Sequence, residues 1–143
     1  MISTVEKKYV IFKLEEEFYG LPISNVLSIE RVSKITRIPN SPKYVLGLIN
    51  LRGDVIPVID LNIKLGFKST KVNNSSRIIV IKDDEMIVGL MVDSSSEVLD
   101  ISEESIDKPP ASQSNELLEY VDGIGKTPGR IIILLNVKKL LKH

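Results

Sequence analysis

The sequence predicts an all-β fold made of two small barrels of about five strands each. Short β-rich runs alternate with turn residues along all 143 residues. The pattern also occurs twice, at about residues 9–65 and 78–141, and we interpret residues 1–143 as one domain with two barrel subdomains. Closing each short sheet into a barrel would remove the exposed strand edges.

The first copy begins with β-rich segments and ends in a hairpin and a helical turn. Strands or extended segments are predicted at Tyr9–Leu14, Phe18–Ile23, Val26–Val32 and Ile35–Ile38. Proline and turn residues break the chain at 39–42, where Ser41 is predicted to cap a short helix that carries Tyr44, Val45 and Leu46. After the hairpin, Asn62–Leu65 is predicted to form one helical turn that ends at Gly66.

The hairpin at residues 47–61 is the most informative stretch of the chain. Its turn is Arg52-Gly53-Asp54, where Gly53 can adopt the positive φ that a tight hairpin requires. Val55–Ile59 is a β-branched run typical of a buried strand. Pro57 cannot donate a ladder hydrogen bond, which predicts an edge strand or a bulge.

The second copy follows a polar linker at residues 68–76 and repeats the same pattern. Strands are predicted at Arg77–Lys82, Met86–Val92, Glu97–Ile101, Glu119–Gly123 and Arg130–Leu135, with a capped turn at 102–106, a loop at 108–115 and a short helix at 137–141. The alignment of the two copies pairs Leu21 with Leu90, Gly53 with Gly129 and Asp60 with Asn136.

Composition excludes several classes of function. The chain has no cysteine and its single histidine is the terminal His143, so the usual nucleophilic and general-base constellations and thiolate metal ligands are missing, and we expect neither an enzyme nor a metal or other cofactor. Nineteen basic and nineteen acidic residues cancel, and aromatics make up 5%, which argues against a nucleic-acid binder. No apolar run approaches the ~18 residues of a membrane span, so we expect a cytoplasmic protein without direct membrane insertion.

The segment GLINLRGDVIPVIDL, residues 47–61, closely resembles the G-x-x-N-L-R-G-x-x-x-P-x-x-D-L motif of the CheW-like domain family of bacterial chemotaxis coupling proteins. Residues 35–39, the VGLMVDSSSEVLDI segment and the DGIGKTPGRIIILLNVKKLL ending are also similar to family segments, in the same order. The resemblance implies two intertwined five-stranded SH3-like barrels with short helical turns, packed on a shared core. It also implies a non-enzymatic adaptor that binds the regulatory domain of the histidine kinase CheA and the cytoplasmic tips of chemoreceptors. An adaptor for a non-chemotactic receptor and kinase system remains the alternative.

The resemblance also implies which residues bind partners. Arg52 matches the family arginine beside the receptor groove, where a glutamate of a V-x-E-I segment often faces it. That glutamate position is Ser28 here, although Glu30 lies on the same face of an extended strand and could replace it. Ser95 is a second departure, since relatives usually have an apolar residue there. The predicted partner-binding residues are Val26, Ser28, Ile29, Glu30, Asn50, Arg52, Gly53, Val55 and Val98, and core packing is the alternative role for the apolar ones.

Overall fold

The computed structural model describes residues 6–110 and 116–142, and most of them lie in strands. The strands are β1 Glu6–Leu14, β2 Glu17–Pro22, β3 Val26–Arg31, β4 Val45–Leu51, β5 Asp54–Asp60, β6 Arg77–Asp83, β7 Met86–Val92, β8 Ser94–Ser102, β9 Ile106–Asp107, β10 Val121–Thr127 and β11 Arg130–Leu135. Three single-turn helices are α1 Leu61–Lys64, α2 Glu116–Glu119 and α3 Val137–Leu140, and 3₁₀ turns occur at Ile23–Asn25 and Glu103–Ser105.

The strands form two sheets, which confirms the predicted all-β fold. The first sheet has the order β8-β1-β2-β11-β10-β9, and the second has the order β3-β6-β7-β5-β4. The first sheet exceeds five strands because it includes the two-residue β9. Each sheet contains one parallel pair, β2 with β11 in the first and β5 with β7 in the second.

Each sheet takes strands from both copies of the repeat. In the first sheet, β1 and β2 from the first copy join β8 to β11 from the second. The second sheet reverses this, because β3 to β5 from the first copy join β6 and β7 from the second. The strand orders correspond when β8, β1, β2, β11 and β10 are matched with β3, β6, β7, β5 and β4. The copies are therefore intertwined.

Both faces of the central strands are buried. Along β1, Val10, Phe12 and Leu14 point into a core that the two sheets share, whereas Tyr9 and Ile11 point into a smaller cluster of the first sheet. Side chains alternate in direction along a strand, so two-sided burial requires a continuous apolar run. The shared core includes Leu21, Ile79, Ile81, Leu90, Val121, Leu135, Val137 and Leu140.

The helix predicted after Ser41 is wrong. The chain turns there, with the Val45 amide donating to the Pro42 carbonyl at 3.0 Å, and Val45 already pairs with Ile59 as the first residue of β4. Ser41 does not cap a helix, since its hydroxyl donates to the Ile38 carbonyl at 2.9 Å. Pairing with β5 satisfies backbone groups that a four- or five-residue helix would leave mostly unpaired.

Other features of the fold also differ from the prediction. The extended segment at 35–38 contributes only one bridge, between Thr36 and Leu48. The strand predicted from Glu119 begins at Val121, because Glu119 belongs to α2. β5 is an interior strand rather than an edge, although its ladder with β7 runs from Val58 to Asp60 and therefore does not include Pro57. Residues 111–115 of the predicted loop and His143 lie outside the described residues.

Candidate partner-binding surface

The tip of the β4–β5 hairpin is a two-residue turn. Leu51 pairs with Asp54, and the two residues between them have positive φ, 51° at Arg52 and 88° at Gly53. These values correspond to a type I′ turn, whose twist matches that of the flanking strands. The Asn50 side-chain oxygen accepts a hydrogen bond from the Gly53 amide at 3.1 Å. Asn50 and Gly53, both predicted as site residues, therefore shape the turn that presents Arg52.

An ion pair joins this turn to β3. The Arg52 guanidinium lies 3.6 Å from the Glu30 carboxylate, with side-chain exposures of 73% for Arg52 and 24% for Glu30. β3 and β4 are the two edges of the second sheet, so the sheet must curl to bring them together. The Thr36–Leu48 bridge supports the same curl, because it pairs the chain after β3 with β4.

Exposed apolar side chains also occur on β3 and β5, the strands next to this ion pair. Val55, which pairs with Asn50 across the hairpin, is 65% exposed. Leu27, which the sequence did not single out, and Ile29 are also exposed, but they alternate with Glu30 along β3 and therefore lie on its opposite face. We define the hairpin surface as Glu30, Arg52 and Val55. It combines an accessible cation with an exposed apolar side chain, a mixture typical of protein-binding sites.

The other predicted residues lie elsewhere or inside the protein. Val26 packs against the shared core, and the Ser28 hydroxyl is buried without a hydrogen-bond partner. Val98 is exposed, but it lies on β8 in the first sheet, opposite Val10 of β1. Ser95, where the family usually has an apolar residue, donates its hydroxyl hydrogen bond to the Ile11 carbonyl at 3.2 Å.

The first sheet contains an equivalent of the hairpin surface that sequence reasoning missed. Ile131, which the Gly53–Gly129 alignment pairs with Val55, is 60% exposed. Arg130 forms an ion pair with Glu97 and also lies 4.7 Å from the Phe18 ring centre, so its guanidinium is more enclosed than that of Arg52. The repeat alignment contained the signal that could have identified Ile131.

Residues 6–110 and 116–142 contain no group of three or more His, Cys, Asp or Glu side chains placed to hold a metal ion. Burial raises the pKa of Tyr19 to about 12, with smaller contributions from Glu17 and Glu15, and also raises the pKa of Tyr9. Both tyrosines belong to the first sheet and lie in cores. Within the same residues, no helix has the length and apolarity to cross a membrane.

Comparisons with known proteins agree with the fold and with the hairpin motif. A family model described as CheW-like domain matches residues 8–143. The chemotaxis protein CheW of Helicobacter pylori is 38% identical over 94% of this chain and 81% of that protein, and CheW of Klebsiella aerogenes is 35% identical over 97% and 84%. The crystal structure of the scaffolding protein TtCheW from Thermoanaerobacter tengcongensis matches with a TM-score of 0.89 and 39% identity, covering 97% of this chain and 94% of that one.

Proposed function

The chain belongs to the CheW-like domain family, and from this premise we propose that it is a non-enzymatic chemotaxis adaptor. It couples the cytoplasmic tips of chemoreceptors to the regulatory domain of the histidine kinase CheA. This role places the protein in the cytoplasm, where its partners bring it to the receptor arrays. The relatives with chemotaxis and scaffolding names, aligned over nearly the whole chain, support this role.

The observation that carries the proposal is the exposed guanidinium of Arg52. Its ion pair with Glu30 is long, and 73% of the Arg52 side chain is accessible. Exposed pairs of this kind contribute roughly 0–1 kcal/mol to stability, so the pair is a weak brace for the fold. The remaining guanidinium donors are free to bind a partner carboxylate or carbonyl at the tip of the hairpin that also exposes Val55.

Glu30 takes the place of the family glutamate that is missing at Ser28. The two residues lie on the same face of β3, and the distance of 3.6 Å brings the Glu30 carboxylate within ion-pair range of Arg52. The Ser28 hydroxyl is buried and makes no hydrogen bond, so it does not perform this task. The charge pair is therefore retained with its acidic member moved by two residues.

Substituting Arg52 with alanine tests the proposal. Arginines near the centre of an interface often contribute roughly 2 kcal/mol or more, which corresponds to about 30-fold in affinity. We expect Arg52→Ala to weaken binding to a receptor-tip fragment by about 30-fold and binding to the kinase regulatory domain by less. The melting temperature should stay within about 2 °C of the parent value, since an exposed ion pair contributes little to stability. Titration calorimetry and thermal unfolding measure the two quantities.

Two further variants control for loss of charge and for bracing. Lys126→Ala removes an exposed ion pair of the first sheet, with Asp107 at 3.1 Å, and should leave receptor binding unchanged. Glu30→Ala tests whether the ion pair stabilises the fold. If Glu30→Ala and Arg52→Ala both lower the free energy of unfolding by as much as they weaken the free energy of receptor binding, the ion pair is structural. Normal binding of the receptor fragment by Arg52→Ala would show that the hairpin surface is not the receptor site.

A further inference from the structure

We propose that this chain can also bind a second copy of itself by exchanging its two halves, with residues 65–76 as the hinge. The first half, β1 to β5 with α1, would pair with the second half, β6 to β11, of the other chain. This inference goes beyond the adaptor function and does not depend on any receptor or kinase.

The halves are complementary and individually incomplete. Each sheet needs strands from both halves, and the pairs that join them are β1 with β8, β2 with β11, β3 with β6 and β5 with β7. The shared core also draws side chains from both halves. An exchanged dimer would keep all these pairings, because only the hinge segment has to change. Exchange of this kind is a low-cost route to a dimer.

The hinge is long enough for both forms. Asp60 and Ile78 both pair with Met91 of β7, so they lie two strand spacings apart, about 10 Å. The twelve residues 65–76 span roughly 40 Å when extended, which is comparable to the diameter of a domain of this size. The connection can therefore fold back within one chain or extend between two.

A buried polar cluster holds the hinge in its folded-back form. Asp60 accepts hydrogen bonds from the Thr70 amide at 2.9 Å and from the Thr70 hydroxyl at 2.7 Å. The Asn62 side-chain amide donates to Thr70 at 2.8 Å and to Asp93 at 3.0 Å. Asp60 and Asn62 are each 2% exposed, and the Asn62 side-chain oxygen has no partner. The cluster favours the single-chain form and leaves one acceptor unsatisfied.

Concentration determines which form is populated. A short flexible connection keeps the two halves at an effective concentration on the order of millimolar, so the single-chain form should predominate at micromolar protein. A stiff hinge that holds its ends apart would remove this advantage. The exchanged dimer would carry two copies of the hairpin surface and so would offer two equivalent sites.

A disulfide between the halves reports which chain supplies each strand. Lys8 on β1 and Asp100 on β8 are paired, exposed and joined by an ion pair of 2.9 Å. Cross-strand partners have Cα atoms about 4.5–5.5 Å apart, within the range for a disulfide. The chain has no cysteine of its own. In Lys8→Cys/Asp100→Cys protein, the single-chain form gives an intrachain bond, whereas the exchanged dimer gives a covalent dimer on a non-reducing denaturing gel.

The test compares two hinges in this double variant. Replacing residues 66–75 with ten prolines gives a rod of about 31 Å. The folded-back path covers about 10 Å between Asp60 and Ile78, and α1 adds about 6 Å, so the rod is too long for this path. A glycine–serine segment of equal length lacks the same Thr70 contacts but remains flexible. At micromolar protein we expect at least a tenfold larger share of covalent dimer with the proline hinge. With the natural hinge, that share should rise on refolding toward millimolar protein, and Thr70→Val should raise it further.

The proposal is overturned if the proline-hinge protein forms only intrachain bonds, or fails to fold while the glycine–serine protein folds. A dimer share that stays constant across the concentration series with the natural hinge also overturns it. None of these measurements involves a receptor or a kinase, so the result is independent of the adaptor function.

Discussion

Arg52 combines an unfavourable backbone conformation with an exposed side chain. At φ 51° it lies in the left-handed region, where a residue with a Cβ costs roughly 1–2 kcal/mol. Type I′ turns favour asparagine or glycine at this position, so arginine is not the most stabilising choice. Strain of this kind often occurs at functional sites, which fits the proposed role of the side chain in binding.

Replacing Arg52 with glycine should change stability and binding in opposite directions. Glycine adopts positive φ without steric conflict, so we expect Arg52→Gly to raise the free energy of unfolding by up to about 1 kcal/mol. Binding to the receptor-tip fragment should fall as far as in Arg52→Ala. Urea denaturation and titration calorimetry on the same preparation measure the two effects.

Glu15 provides the matched control, because it has φ 56° in the β1–β2 turn of the first sheet. Its amide donates to Asp93, a contact that glycine can keep. Glu15→Gly should give a similar gain in stability with unchanged receptor binding. Equal loss of binding in both variants would mean that turn geometry, rather than the Arg52 side chain, controls recognition.

Gly47 lets the chain segment after β3 approach β4. A Cβ atom at Gly47 would lie 2.1 Å from the Thr36 carbonyl oxygen, and its φ is 146°. The Thr36 carbonyl accepts the Leu48 amide at 2.8 Å, and the Thr36 amide donates back to Leu48 at 2.8 Å. These bonds join the ends of the curled second sheet, so any residue larger than glycine should open it.

Gly47→Ala should therefore destabilise the protein more than an equivalent substitution in the hairpin turn. We expect a loss of at least about 2 kcal/mol, since the clash is with backbone that cannot move without breaking two hydrogen bonds. Gly53→Ala is the comparison, because its φ is 88° but nothing lies within 4 Å of the added Cβ, and it should cost roughly 1 kcal/mol. Urea midpoints measure both, and an equal loss in the two variants would contradict this account of Gly47.

Local sequence signals predicted the elements well where the pattern was strong. Alternating or continuous apolar runs located strands such as β6 and β7, and glycine marked the turn at Gly53. The helix predicted around Tyr44 failed because a proline and a serine resemble a helix start, whereas pairing with β5 determines the conformation there. Long-range pairing competes with local preference, and a single sequence does not display it.

Only part of the candidate site could be predicted, because a single sequence does not display which strands pair. The Glu30–Arg52 contact follows from strand alternation and the motif, and the structure places the two side chains together. Val98 was grouped with them, but it lies in the other sheet, because strand alternation predicts the face of a side chain and not which strands are neighbours. The exposure of Ile131 could have been predicted from the repeat, because the alignment of the two copies pairs it with Val55.

At the scale of the whole molecule, the two sheets depend on each other, because each contains strands from both halves of the chain. The first sheet lacks β1 and β2 unless the first half is folded, and the second lacks β6 and β7 unless the second half is folded. The core between the sheets contains Leu21 from one and Leu90 from the other, both fully buried. Neither sheet should therefore unfold while the other stays native.

Leu21→Ala and Leu90→Ala test this dependence, because the two leucines occupy equivalent positions in the repeat and belong to different sheets. Each truncation removes a buried leucine side chain, for which we expect a loss of about 2–5 kcal/mol. Calorimetry should show one transition in each variant, with equal calorimetric and van't Hoff enthalpies, and amide exchange should accelerate in both sheets. Ile131→Ala, on the exposed face of β11, should change stability by less than about 0.5 kcal/mol. Two separate transitions in Leu21→Ala, with the second sheet still protected, would show that the sheets fold independently despite their shared strands.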